Sequence, residues 1–236
     1  MGERAGTGWV DWGHMDAPLD RRPIAARDLK IMQAIAGWMA RKGFSANGIS
    51  VAGMIFGLLG GVALFYTSRT PDLVSRGLWI AGAACVQLRL LANLFDGMVA
   101  IARGTASKVG ELFNEVPDRV SDSAILIGLG YAPGAHPLLG FGAALAAMMT
   151  AYVRAVGKGA GTPNEFCGPM AKQQRMFLVT MTCLFCAFTP VLWQRFGCPT
   201  CRMGVPSAIL SIIILGALLT TVRRLGKIAG KLRGGA

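Results

Sequence analysis

Residues 77–122 read GLWIAGAACVQLRLLANLFDGMVAIARGTASKVGELFNEVPDRVSD, and this stretch decides which solvent the fold is built for. Its first part, 77–101, is an apolar run long enough to cross a bilayer, for which a helix needs ~20 residues to cover ~30 Å of hydrocarbon. Arg89, Asn93 and Asp96 interrupt that run. A short basic loop, GTASK at 104–108, leads into a second run, 109–133, that carries Glu111, Asn114, Glu115, Asp118 and Asp122. Ionisable groups at membrane depth are costly, so their presence marks a functional site by default. At 100° per residue Arg89, Asn93, Asp96, Ala100 and Arg103 fall on one narrow stripe. Gly110, Glu111, Asn114, Glu115, Asp118 and Asp122 share one broad face of the next helix. The two polar stripes are predicted to face each other.

Outward from this pair, further apolar runs at 46–67, 137–157, 174–195 and 205–222 bring the predicted spans to six, each ending at Gly, Pro or a charge. A chain that is 53% hydrophobic and 15% charged, with mean hydropathy +0.49, is not a water-soluble globule. No run shows the alternation of a membrane barrel. The sequence therefore predicts an all-α polytopic membrane protein, six transmembrane helices over 45–225. An amphipathic cytoplasmic helix precedes them at 28–44, DLKIMQAIAGWMARKGF, with Leu29, Met32, Ile35, Trp38 and Met39 near one face. Residues 1–27 form a polar tail without the pattern of a cleavable signal peptide, and 226–236 a basic tail, with 1–20 and the Gly-rich end 230–236 expected to be mobile.

The net charge of +12 would suggest nucleic acid in a soluble protein, but here its placement is a matter of topology. Arg4, Arg21, Arg22, Arg27, Lys30, Arg41 and Lys42 precede the first span, and Arg223, Arg224, Lys227, Lys231 and Arg233 follow the last. Arg103, Lys108, Arg154, Lys158, Lys172 and Arg175 fall on the same side, against Arg69, Arg76, Arg195 and Arg202 on the other. The positive-inside rule puts both termini and the polar cluster at the cytoplasmic face.

Facing carboxylates and amide oxygens form a hard-oxygen site suited to Mg²⁺, Mn²⁺ or Ca²⁺. The histidines, His14 and His136, lie in the tail and an external loop and do not compete. Oxygen-bound metals of this kind hold phosphate oxygens and orient a nucleophile, so phosphoryl chemistry is expected at this face. A small cation transporter using the same acidic stripe is the alternative from another class.

The segment DGMVAIARGTASKVGELFNEVPD, Asp96 to Asp118, resembles the signature of the CDP-alcohol phosphatidyltransferases. That signature has an Asp three residues before Asp-Gly, then two residues, Ala-Arg, eight residues, Gly, three residues, Asp, three residues and a final Asp. Asp96, Gly97, Ala100, Gly110 and Asp118 match in register, whereas Asn93, Ile101 and Asn114 depart from it. FSANGIS at 44–50 resembles the family's entry to its first span. The resemblance implies transfer of a phosphatidyl group from a CDP-linked lipid such as CDP-diacylglycerol to a small alcohol or sugar-phosphate acceptor. It further implies release of CMP, in phospholipid biosynthesis, and a homodimer among membrane lipids, and no nucleic-acid partner is expected.

Carried over by position, the resemblance makes Asp118 the general base, and Asp96, Asn93, Asn114 and Asp118, with Asp122 in support, the ligands of one or two Mg²⁺ or Mn²⁺ ions. Gly97, Ala100 and Gly110 would admit the nucleotide, and Arg103 either meets its phosphate or snorkels at a helix end. AYVRAVGK at 151–158 keeps the Tyr-x-Arg of the family's acceptor stretch, so Arg154, Lys158, Lys172 and Arg175 are candidates for an anionic acceptor or for lipid headgroups. Four aspartates would offset two divalent ions, but Asp96 and Asp118 offset one. Weaker metal binding, or one tightly held ion, is expected, and loss of catalysis with retention of CDP-lipid is a second outcome.

Pro117 before Asp118 predicts a kink that re-aims the carboxylate. Of the two CxxC pairs, Cys183/Cys186 reads as buried apolar packing and Cys198/Cys201 as a loop pair in which a disulfide is open. Gly60 and Gly61 predict close helix contact within the bundle.

Overall fold

Phe44 and Ser45 link one helix to the next. The Ser45 hydroxyl accepts from the Gly48 amide at 3.3 Å and caps the helix that follows. The computed structural model describes residues 29–105, 108–196 and 203–234. The predicted polar tail and the Cys198/Cys201 pair lie outside the described residues. The helices are α1 (Lys30–Arg41), α2 (Ala46–Tyr66, extended by a 3-10 turn at Thr67–Arg69), α3 (Asp72–Ala102) and α4 (Lys108–Gly130). There follow α5 (Pro137–Gly159), α6 (Lys172–Phe188), the single turn α7 (Val191–Gln194) and α8 (Val205–Gly234).

The all-α architecture agrees with the sequence expectation. Four helices, α2 with its 3-10 turn, α3, α5 and α8, are long and apolar enough to cross a membrane. The helices α4 and α6 are outside that group. Between them they supply the charged stripe and a helix of 17 residues, shorter than the ~20 a full crossing takes. Large side chains such as Ile55, Leu59, Val62, Leu145, Leu215 and Val222 are exposed around the outside. So large an uncovered apolar surface suits lipid rather than water, and the protein is an integral membrane protein.

Three boundaries differ from the expected spans. α6 stops at Phe188 rather than 195 because Pro190 drives Thr189 to φ −106°, ψ 154°, out of the helical region. α3 starts at Asp72, directly after Pro71, ahead of the expected 77. α8 continues to Gly234 through the stretch expected to be a mobile tail, and it does so because Arg224 and Ile228 are buried against the bundle. Ile228 fits over Gly157 of α5, where an added Cβ would lie 2.5 Å from its Cδ1.

The helix α2 is wedged between α3 and α4, which have little contact with each other along their lengths. Glycines permit the wedge. A Cβ at Gly57 would lie 2.5 Å from Ser121 Cβ, one at Gly61 2.4 Å from the Ala124 carbonyl oxygen, and one at Gly128 2.2 Å from the Gly61 carbonyl oxygen. These contacts leave no room for a side chain, so the α2–α4 backbones meet directly, as small residues allow in membrane bundles. Gly53 and Gly60 do the same against Ala92 and Cys85 of α3. Leu64, Trp79, Val86, Ile125, Leu129, Met176, Val179, Leu210 and Ile213 fill the core between the helices. α1 packs Met32 and Met39 onto Leu94, Met98 and Val99 of α3 and leaves Leu29, Ile31 and Trp38 exposed.

Candidate active site

The wedge brings one end of α3 against the first half of α4 and the first turn of α6. Arg89, Asn93 and Asp96 stand on one face of α3, Asn114, Asp118 and Asp122 on one face of α4, and Lys172 and Arg175 on one face of α6. Ser50 closes the group from α2. A cavity opens here, lined by Ser50, Asn93, Asp96, Asn114, Asp118 and Arg89 among others.

Asn93, Asn114, Asp118, Asp122, Arg89, Lys172 and Arg175 form one connected network, with the Ser50–Asp96 pair beside it. Asn93 Nδ2 donates to Asn114 Oδ1 at 2.6 Å and to Asp118 Oδ2 at 3.3 Å. Lys172 Nζ donates to Asn93 Oδ1 at 2.6 Å and to Asp118 Oδ2 at 2.5 Å. Arg89, only 1% exposed, reaches Asp118 Oδ1 at 3.1 Å and Asp122 Oδ1 at 2.5 Å through Nη2. Arg175 meets Asp122 Oδ2 at 3.1 Å and donates to the Met170 carbonyl at 3.0 Å. Asp96, 3% exposed, accepts from the Ser50 hydroxyl at 2.6 Å, and its Oδ1 is buried with no hydrogen-bond partner. Charges paired and hydrogen-bonded in this way can be held at membrane depth.

The structure thus brings Asn93, Asp96, Asn114 and Asp118 to one cavity, and it gives four other candidate residues the following partners. Asp122 is ion-paired through Oδ1 with Arg89 and through Oδ2 with Arg175, so it anchors two arginines. Lys172 and Arg175, the expected acceptor-side cations, stand in the carboxylate cluster, because the first turn of α6 faces into the bundle. Arg103 does not continue the α3 stripe. The helix ends at Ala102, and Arg103 donates to the carbonyls of Gly43 and Phe44 at 3.1 and 2.6 Å, pinning the α1–α2 corner. Arg103→Ala is therefore expected to lower stability by about 1 kcal/mol, the worth of such hydrogen bonds. The KM for a CDP-linked lipid should stay within about twofold, and a rise of tenfold in a steady-state assay would return Arg103 to the site.

Arg154 and Arg119 both pair with Glu115, Arg119 at 2.5 Å, and Arg154 also lies 5.5 Å from the Phe166 ring centroid. Lys158 is exposed one turn further along α5. Gly97, Ala100 and Gly110 are half-buried on α3 and α4, flanking the cluster. Pro117 sits inside α4, which runs on unbroken, and the Ser121 hydroxyl donates to the Pro117 carbonyl at 2.6 Å. Ser50 and Arg119 received no role from the sequence, although FSANGIS ends on Ser50 and Arg119 stands four residues from Glu115.

Among the described residues no group of three or more His, Cys, Asp or Glu is placed to hold a metal. The donor set fits a hard cation, because Asp96 Oδ1 is an orphaned carboxylate oxygen beside a second carboxylate and two amides.

A helical membrane bundle with Asp96-Gly97 and Asp118 in this register, brought to one cavity, agrees with the resemblance of the motif, and the chain is similar to proteins of the CDP-alcohol phosphatidyltransferase family. No protein-family model matches the chain. Two proteins to which it is similar are inositol-lipid synthases. It is 25% identical over 201 residues, 83% of this chain and 76% of the relative, to the phosphatidylinositol phosphate synthase of Streptomyces avermitilis. It is 25% identical over 175 residues, 71% of this chain and 83% of the relative, to the archaetidylinositol phosphate synthase of Aeropyrum pernix. The fold matches crystal structures of Mycobacterium tuberculosis phosphatidylinositol phosphate synthase at 21% identity. The structure with CDP-DAG bound gives a TM-score of 0.67 over 85% of this chain and 94% of that one. The one in complex with manganese and citrate gives 0.66 over 84% and 88%.

Proposed function

We propose that this chain transfers a phosphatidyl group from CDP-diacylglycerol, or a similar CDP-linked lipid, to a hydroxyl of a phosphorylated polyol such as inositol phosphate, releasing CMP. The observation that carries the reading is the meeting of Asp96, Asn93, Asn114 and Asp118 in one cavity in the family's register. The names of the relatives support the acceptor class.

Asp118 is the base for the acceptor hydroxyl. A carboxylate offers about four lone-pair sites. Arg89 takes one on Oδ1, and Lys172 and Asn93 take those on Oδ2, which leaves a site for an incoming hydroxyl. Asp96, with amide oxygens of Asn93 or Asn114, would hold Mg²⁺ or Mn²⁺, which when bound neutralises the pyrophosphate and the departing CMP. Gly97, Ala100 and Gly110 leave room for the nucleotide on the flanking helix faces.

Arg154, with Arg119 and Lys158 near it, receives the acceptor phosphate by displacing Glu115 from the guanidinium. Arg154→Ala should raise the acceptor KM by ~10-fold or more, the worth of a charge-assisted contact, and leave the KM for the CDP-lipid nearly unchanged. Equal increases in both constants would assign Arg154 to general electrostatics instead.

The reading includes six crossings, α4 and α6 among them, with α1 on the cytoplasmic leaflet and the site opening to the cytoplasm. The excess of Lys and Arg on that side supports this. So does the covering of the charged face of α4 by α2, α3 and α6. The family resemblance supports a homodimer. CMP release measured with CDP-diacylglycerol, Mg²⁺ or Mn²⁺ and a panel of alcohols and sugar phosphates is the test, and no CMP from any combination would refute the activity.

A further inference from the structure

The side chains that line the cavity do not offer their oxygens equally. Asn114 Oδ1 is taken by Asn93 Nδ2, Asn93 Oδ1 by Lys172, Asp118 Oδ1 by Arg89, and Asp118 Oδ2 by Lys172 and Asn93. Asp96 Oδ1 is the carboxylate oxygen left buried and unpartnered at the cavity wall. The ammonium of Lys172 sits at hydrogen-bond distance from two of the oxygen-bearing groups that a second divalent ion would have to use. Its side chain is 17% exposed, and the first turn of α6 holds it there.

We propose that Lys172 is a built-in cation that takes the place of a second metal ion, so that the site binds a single divalent cation, at Asp96. The proposal rests on the phosphatidyltransfer reading above and adds the division of positive charge within that site. Charge counting supports it. The carboxylates of Asp96, Asp118 and Asp122 stand against the cations of Arg89, Lys172 and Arg175, so the cluster is neutral without any metal. One divalent ion brings it to +2, matching the two negative charges on the pyrophosphate of a CDP-linked lipid. Two ions would leave these six groups at +4. The amides at 93 and 114 belong to the same arrangement. An aspartate at either position would add a charge that a divalent ion, not one ammonium, is suited to balance. Lys172 is thus a positioning residue, holding Asp118 and Asn93 where a metal would otherwise bridge them.

The test uses Mn²⁺ itself and no substrate. Mn²⁺ is titrated into the purified full chain in detergent and counted by electron paramagnetic resonance, which separates isolated ions from spin-coupled pairs. One uncoupled Mn²⁺ per chain is expected for the wild type and for Lys172→Arg. The double substitution Asn93→Asp with Lys172→Met should bind two, with a coupled signal. Two ions in the wild type would overturn the proposal, as would none, or a folded double variant that still binds one. Should the double variant not elute as a single species, the wild-type count and Lys172→Arg decide alone. CMP release read separately keeps the two conclusions apart. A one-ion protein without transfer activity refutes the proposed reaction only, and an active two-ion protein refutes the role of Lys172 only.

Discussion

Asp118→Asn is expected to lower kcat for CMP release by about 10²–10⁴-fold, the usual contribution of a positioned general base, while both KM values change little. The replacement keeps the shape of the side chain and an oxygen that can accept from Arg89 or Lys172, so the cavity should survive. It removes the lone pair basic enough to take the acceptor's proton. The Asp118 carboxylate is anchored from three helices, by Arg89 and Asn93 of α3, by its own place on α4 and by Lys172 of α6. That anchoring fixes the unused acceptor site in one direction and makes the residue suited to one hydroxyl at one place. The variant should remain folded, and its melting temperature in detergent is the control. A loss of less than about tenfold in kcat, in a protein of normal stability, would take the base role from Asp118.

Arg89→Ala should be the most destabilising single change in the site, by about 3–5 kcal/mol, as is typical when one partner of a buried ion pair is removed. Arg89 stands between Asp118 and Asp122, and the helix α3 around it is buried on Ala92 and Val86. Without the guanidinium, Lys172 and Arg175 alone face the two carboxylates, and a void remains that lipid or water must fill. The melting temperature in detergent should fall by about 10 °C on the usual scaling for a chain of this size. Arg89→Lys should recover part of this, since it restores the charge but not the reach to both carboxylates. A fall of 2 °C or less for the alanine variant would show that the network is held by Lys172 and Arg175 instead.

Much of the site was legible because its parts obey local rules. Asn93 and Asp96 are three residues apart on one helix, Asn114 and Asp118 four apart on the next, and helical geometry puts each pair on one face whatever the rest of the chain does. The position of Arg103 has an equally local source. The stripe was extended through a residue at which α3 has already ended, and the freed guanidinium caps the α1–α2 corner. The loops were read by the side of the membrane they lie on, and sidedness does not distinguish Arg154, which stays with Glu115, from Lys172, which enters the cluster.

The sequence by itself determined the solvent, the helical class, the register of Asp96 to Asp118 and the chemistry that hard oxygens at a membrane face can carry. These depend on composition, periodicity and spacing, all of which act within a helix or across one short loop. Only the tertiary structure decided that α2 separates α3 from α4, that Asp122 anchors two arginines and that Lys172 completes the site from 54 residues away. In lipid the apolar faces are nearly equivalent, so hydropathy does not choose neighbours. The choice falls to close backbone approaches such as that between Gly61 and Gly128, and to the pairing of buried charges. Both are satisfied only when the whole bundle is assembled.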